Sequence, residues 1–334
     1  MMNQEYRILV SGAGSIGRRH LKNLHALGVK NLACADPHCD PASEAQVQEQ
    51  TGAKCFSDFG EALTAFKPTI VFVCSPTILH VEQALAAARA GCHLFIEKPL
   101  SHTLKGIEAL EKEVERKKLT TMVACNMRFH PGPEQIKKLL TERRIGEVLA
   151  ARIHTGSFLP SWQPNRDYKV RYSADPLQGG AILDCIHEID LALWFFGAAK
   201  LAGAALLPAT SIGLSVEGLA EIILHHDTGA VASIHLNFLQ RNNRRSCEVV
   251  GTEGTIEWDV HTSQVNVYDG DGALAESIPL SMGWEDHPAY ELEIEHFLQA
   301  VANETAPTCS LADGRAALEI ALAAREASLQ NVSP

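Results

Sequence analysis

The sequence predicts an α/β chain of two domains, an N-terminal doubly wound parallel sheet and a C-terminal α+β domain with a largely antiparallel open sheet. Three observations predict this. The chain has 334 residues, more than one hydrophobic core usually organises. Its first third alternates apolar strand-like runs with amphipathic helical stretches, the signature of a parallel sheet covered on both faces. Past about residue 125 the pattern changes to a period of two, which suits a sheet with one buried and one polar face. The expected domains are therefore 1–125 and 126–334.

Taken in order, Arg7 to Ser11 (RILVS) reads as a short buried strand, followed by a glycine-rich turn and a helical stretch to about Leu27. Asn31 to Asp36 is a second strand, and PASEAQVQEQTG after it is helical. Thr69 to Cys74 is β-branched and apolar, and a helix ending on Gly91 follows it. His93 to Ile96 is the next strand, then a helix from about Thr103 to Lys118 and a strand at Thr121 to Ala124. In the second half, Ala230, Ala232, Ile234, Leu236 and Phe238 alternate with Ser233, His235 and Asn237. Further strands are expected near Ala150–Ser157, Leu219–His225, Cys247–Val250 and Thr255–Trp258, with a tight turn between Gly251 and Gly254.

Composition excludes several classes of partner. The formal net charge is −11, from 40 acidic and 29 basic side chains, so neither nucleic acid nor an anionic membrane surface is expected to bind. No run approaches the roughly 20 apolar residues of a membrane span. The N-terminus lacks the charged leader and apolar core of a secretory signal. The nine cysteines (Cys34, Cys39, Cys55, Cys74, Cys92, Cys125, Cys185, Cys247 and Cys309) form no CxxC pair, which predicts reduced thiols in a cytoplasmic protein. Cys92 beside His93, and Cys185 near His187, lack further ligands at zinc-like spacing, so no metal is expected.

Gly12-Ala13-Gly14-Ser15-Ile16-Gly17 fits GxGxxG and falls between a strand and a helix. In that context the first glycine allows a tight turn, the second lets the backbone approach a pyrophosphate, and the third lets helix and strand pack closely. The helix start offers free N–H groups to the phosphates. Asp36 ends the second strand, about 20 residues on, where a carboxylate accepts from ribose hydroxyls and repels a 2′-phosphate. NAD is thus expected rather than NADP, with Arg18 and Arg19 on the first helix as the counter-signal. Cys74-Ser75-Pro76-Thr77 with His80, and Glu97-Lys98-Pro99, follow strands whose carboxyl ends should line the cofactor crevice of a Rossmann domain.

The order AGSIGRRH, VCSPTILH, IEKP and GGAILDCIHEID resembles the Gfo/Idh/MocA oxidoreductases, typified by glucose-fructose oxidoreductase and inositol dehydrogenase. NMRFHP, VVGTEGTIEW and SLADGRAALEIALAAREAS also resemble family segments, so the likeness spans nearly the whole chain. It implies that Lys98 and His187 lie beside the substrate carbon and the nicotinamide, with Asn126 and Arg128 at the substrate, near the entry to the second domain. Asp184 and His187 stand at i and i+3 on an expected helix, hence on one face, where a carboxylate orients an imidazole acid/base. Many members space this pair as Asp-x-x-x-His, whereas two residues intervene here. Trp162, Asp167, Tyr168, Lys169, Arg171 and Tyr172 form a polar stretch before that helix, and Gln240, Arg241, Arg244 and Arg245 end the alternating strand. Of these, Trp162, Tyr168 and Arg241 are expected at the substrate, Arg241 on a carboxylate.

The resemblance thus implies an NAD-linked dehydrogenase acting on a secondary alcohol of a sugar, sugar acid or cyclitol, and a homodimer or homotetramer joined through the exposed sheet. Two other readings stay open on the same fold: an NAD-dependent glycosidase that oxidises transiently, and a non-catalytic ligand sensor.

Overall fold

The computed structural model describes residues 6–38, 40–162, 167–280 and 288–330; Cys39 falls outside them. The chain divides into two compact units, Met1–Asn126 with Pro288–Arg315, and Met127–His287 with Ala316–Pro334. The stretch Pro288–Arg315, placed with the second domain on sequence, packs with the first unit.

The first unit runs β1 (Arg7–Ser11), α1 (Ser15–Ala26), β2 (Asn31–Ala35), α2 (Pro41–Thr51), β3 (Lys54–Phe56), α3 (Phe59–Phe66), β4 (Ile70–Val73), α4 (His80–Ala90), β5 (His93–Glu97), α5 (Ile107–Lys117) and β6 (Thr121–Ala124). All neighbouring strands are parallel, in the order β3-β2-β1-β4-β5-β6. The order reverses at β1, so the carboxyl ends of β1 and β4 open a crevice between them. Strand β3 and helix α3 are absent from the sequence reading. The strand has only 3 residues, and the helix of 8 residues announces itself only by its cap, Asp58 accepting from the Glu61 N–H at 2.7 Å.

The second unit contains α6 (Pro131–Thr141), β7 (Val148–Phe158), α7 (Ala181–Asp184), α8 (His187–Phe196), β8 (Ala199–Pro208), β9 (Glu217–His226), β10 (Val231–Asn237), β11 (Leu239–Gly251), β12 (Gly254–Asp259), β13 (Gln264–Asp269) and β14 (Leu274–Pro279). They form an 8-stranded sheet in the order β14-β13-β12-β11-β7-β10-β9-β8. Among the described residues only β7 and β10 pair in parallel. The expected alternation is present: Ala232, Ile234 and Leu236 are fully buried, and α8 packs on β7 and β10. Strands β8, β13 and β14 were not foreseen. The two at the edges, β8 and β14, bury almost nothing, so they carry little hydrophobic period to read.

The chain ends with α9 (Ala289–Asn303) and α10 (Leu311–Gln330). Phe297 of α9 explains its place in the first unit. It meets Phe72 and Phe95 edge-on, with centroids 5.9 and 5.5 Å away, and those two rings stack at 4.3 Å. All three are fully buried, each contributing roughly 1.5–3 kcal/mol.

Candidate active site

Sterics shape the glycine loop. Gly12 has φ +92°, and a Cβ there would stand 2.5 Å from the Cys74 carbonyl oxygen. A Cβ on Gly17 would stand 1.8 Å from the Gly12 oxygen, so only glycine lets α1 dock on the loop. Gly14 differs, because a Cβ there would meet nothing within 4 Å. It faces open space at the start of α1, where no side chain caps the helix. Ser15 and Ile16 supply the next N–H groups. This is a cradle in which the phosphates of a dinucleotide fit.

Asp36 follows β2 beside that cradle. Its carboxylate accepts from the Ala13 N–H at 2.7 Å and the His38 N–H at 2.8 Å. The two arginines turn elsewhere. Arg18 donates to the Ala13 carbonyl and to Gln46, and the Arg19 guanidinium lies 4.4 Å over the Tyr290 ring.

The next two strand ends are tied to the loop and to each other. The Cys74 N–H donates to the Ser11 carbonyl at 2.7 Å, and burial, then Glu97 and Glu293, push the Cys74 thiol well above its usual range. Pro76 begins a short turn leading to α4. His80 is 1% exposed, with Nδ1 2.9 Å from the Pro99 carbonyl and Nε2 2.8 Å from the Ser75 carbonyl. Its ring therefore straps the two loops together. Burial lowers its pKa, and a neutral ring donates to one of the two carbonyls. Glu97 turns inward, Oε1 lying 2.6 Å from His20 Nε2 while Oε2 accepts from the Lys98 N–H at 3.2 Å. Lys98 itself is half-buried at the strand's carboxyl end. Asn126 closes the first unit.

In the second unit the expected single helix is two. Cys185, at φ −97° and ψ 33°, interrupts it, so Asp184 ends α7 and His187 begins α8. The premise that both lie on one helix face is corrected. Asp184 is held from another direction: the Tyr172 hydroxyl donates to its Oδ1, and the Ser173 hydroxyl to its Oδ2 at 2.7 Å. Asp184 and His187 are 5% and 8% exposed. The double glycine lets this helix start pack closely, since a Cβ on Gly179 would stand 2.2 Å from the Tyr172 carbonyl oxygen, and one on Gly180 2.3 Å from the Glu217 carboxylate.

The charges flanking His187 are paired. Asp190 and Arg128 form a buried bidentate pair at 2.7 and 2.8 Å. Glu188 is fully buried, 2.7 Å from Arg245 Nε. Arg128, expected at the substrate, is thus 4% exposed and engaged with Asp190. Trp162 Nε1 donates to Ser157, and the Tyr168 hydroxyl to the Ile212 carbonyl at 2.8 Å. Arg241 is exposed, its guanidinium 3.6 Å over the Phe158 ring. Its cluster lies in the first half of β11, around the register shift between Leu239 and Arg244, and not at the end of the alternating strand β10. His20, Ser173 and Glu293 escaped the sequence reading. His20 closes AGSIGRRH and was within reach of it, whereas Glu293 comes from far along the chain.

Among the described residues no helix is long and apolar enough to cross a membrane. Residues 6–125 match the model described as "Oxidoreductase family, NAD-binding Rossmann fold", and residues 134–257 match the "GFO/IDH/MocA C-terminal domain". The chain is therefore a two-domain oxidoreductase with an NAD-binding Rossmann domain. It belongs to the Gfo/Idh/MocA family. An inositol 2-dehydrogenase of Rhizobium meliloti is 30% identical over 94% of this chain and 94% of its own. The scyllo-inositol 2-dehydrogenase (NAD(+)) of Bacillus subtilis is 26% identical over 100% and 96%. The structure of a levoglucosan dehydrogenase in complex with NADH shares the fold, with TM-score 0.85 at 24% identity over 98% of both chains.

Proposed function

We propose that the protein is an NAD-dependent dehydrogenase that reversibly oxidises a secondary alcohol of a sugar, sugar acid or cyclitol. The observation that carries the reading is Lys98 at the carboxyl end of β5, in the same parallel sheet as the strand that leads into the glycine cradle, in a chain that also begins α8 with His187 and has inositol dehydrogenases among its relatives.

Gly12, Gly14, Ser15, Ile16 and Gly17 would hold the pyrophosphate, and Asp36 the adenosine ribose. Cys74, Ser75, Pro76 and Glu97 would shape the crevice beyond, with His80 bracing it. Bound NAD supplies the hydride acceptor. His187 accepts the hydroxyl proton, and Lys98 hydrogen-bonds the same oxygen, favouring the negative charge that develops there. Asp184, fixed by Tyr172 and Ser173, would orient His187. Asn126, Trp162, Tyr168 and Arg241 are proposed to meet the rest of the substrate, Arg241 selecting an acidic group. For Arg128 we propose an indirect part, through its pair with Asp190 on the His187 helix.

NAD is the proposed cofactor because a carboxylate following β2, as Asp36 does, would accept from ribose hydroxyls and repel a 2′-phosphate, while Arg18 and Arg19 have other partners. The test is NADH formation with a panel of cyclitols, aldoses, uronates and sugar nucleotides. Saturable NADH production with at least one is expected. Sugar cleavage without net NADH, or binding without turnover across the panel, would replace this reading.

A further inference from the structure

Inside the end of β5 lies a cluster that the proposed reaction leaves unused. His20 of α1, Glu97 of β5 and Glu293 of α9 each offer one side-chain atom within 4.8 Å of the others. All are buried, His20 and Glu293 completely. His20 Nε2 and Glu97 Oε1 are 2.6 Å apart, and the other Glu97 oxygen accepts from the Lys98 N–H. Neither oxygen of Glu293 has a hydrogen-bond partner among the described residues. The rings of Phe95, Phe72 and Tyr290 surround His20 at 5.2, 5.7 and 6.2 Å, so the walls are aromatic carbon.

Two carboxylates in such a place do not both keep a charge, because burying an unpaired ion costs several kcal/mol even after relaxation. Either a proton or a cation must neutralise Glu293. The His20–Glu97 contact points to the proton. Atoms bound tetrahedrally to one zinc at about 2.0–2.2 Å stand roughly 3.3 Å apart, whereas these two atoms, at 2.6 Å, share a hydrogen. Around Glu293 stand His20 of α1 and Glu97 of β5, Cys74 after β4, Cys309 before α10 and Tyr290 of α9, with the cations Arg19 and Lys98 near the Tyr290 ring. Burial first, then Glu97 and Cys309, push the Glu293 carboxyl well above the usual carboxylate range.

We propose that Glu293 is a protonated, neutral acid and a positioning residue for Lys98. Neutral, it leaves one negative charge, on Glu97, shared between the His20 ring and the Lys98 N–H, and so fixes the direction in which Lys98 leaves the strand. Ionised, it would compete for His20 and loosen that arrangement. The positioning part rests on the role given to Lys98 above; the protonation does not.

The test uses the full chain with Glu293→Gln, which is neutral and nearly isosteric, and Glu293→Ala, which opens a cavity beside Glu97. The wild-type infrared spectrum should contain the carbonyl stretch of a protonated carboxylic acid, lost in Glu293→Gln. An acid whose folded pKa is raised binds a proton that the unfolded chain releases above about pH 4.3, so stability falls as pH rises toward the folded pKa. Urea unfolding should therefore show Glu293→Gln gaining on wild type by up to about tenfold in the unfolding constant per pH unit across roughly pH 5–7. Glu293→Ala should lower kcat about ten- to a hundredfold with KM little changed, and Glu293→Gln should restore it. A pH-independent stability gap without the infrared band would overturn the protonation. So would an equivalent of divalent metal in the purified protein that Glu293→Gln loses. An unchanged kcat in Glu293→Ala would overturn the positioning. Lys98→Ala serves as the control: if it turns over normally, the role of Lys98 fails, while the infrared and stability readouts, which need no substrate, still decide the proton.

Discussion

In the first unit the candidate cofactor residues are held by backbone: Gly12 turns at φ +92°, Gly17 admits the Gly12 carbonyl, and the Ala13 N–H donates to Asp36. In the second unit the acidic side chains near the candidate acid/base in sequence are held by charge and hydroxyl partners. Asp184 takes two hydroxyls, Asp190 takes Arg128, and Glu188 takes Arg245. The difference teaches that the first site is specified by the absence of atoms and the second by paired polar atoms. A methyl group added to the first should do the damage that a polar group removed from the second does.

The largest effect expected is on turnover. Lys98→Ala and His187→Ala should each lower kcat about 10²- to 10⁴-fold, with NAD affinity nearly unchanged by titration. The losses should not add, because both groups act on one oxygen. Wild-type rates in both variants would remove the proposed chemistry from both units at once.

Next comes the buried pair, which sharpens the comparison within the second unit. Arg128→Ala removes the cation paired with a fully buried Asp190, and breaking such a pair costs about 3–5 kcal/mol. Denaturant unfolding should show that loss, whereas Arg128→Met with Asp190→Leu should recover most of it. If Arg128→Ala instead leaves stability intact and raises KM alone, Arg128 belongs to the substrate.

Gly17→Ala is the counterpart in the first unit. With backbone on the far side of the contact, the loop must shift, at a cost of about 1–3 kcal/mol. NAD affinity should fall with it, by roughly tenfold or more in a titration. Gly14→Ala meets no protein atom, so it should leave apo stability within about 0.5 kcal/mol and weaken only NAD binding. Equal stability losses in the two variants would erase the distinction between a packing glycine and a ligand-facing one.

The smallest effects concern selectivity. Asp36→Ser should narrow the preference for NAD over NADP by about tenfold, the value of one charged hydrogen bond. Tighter NADP binding by wild type would reverse the cofactor assignment. Arg241→Ala should raise KM for an acidic sugar about ten- to a hundredfold and spare its neutral analogue. Equal changes for both would leave Arg241 as a cation stacked on Phe158.

Much of this was legible in the sequence because it is local. A buried parallel strand must be apolar along its length, a glycine loop must precede its helix within a few residues, and a strand-end carboxylate must follow at a set distance. Those constraints act over short stretches of chain, so the first-unit fold and the positions of Asp36 and Lys98 are written in linear order. Other features depend on who stands opposite. Whether Arg128 meets substrate or Asp190, whether Glu97 faces the crevice or His20, and whether Asp184 shares a helix with His187 are decided by contacts between residues far apart in the chain. Glu293 shows this most plainly. It is one acidic residue among many in the sequence, and it becomes a buried acid only because Phe297, one turn along α9, anchors that helix against Phe72 and Phe95. Burial and the neighbouring carboxylate then set its charge, and neither exists until the chain has folded.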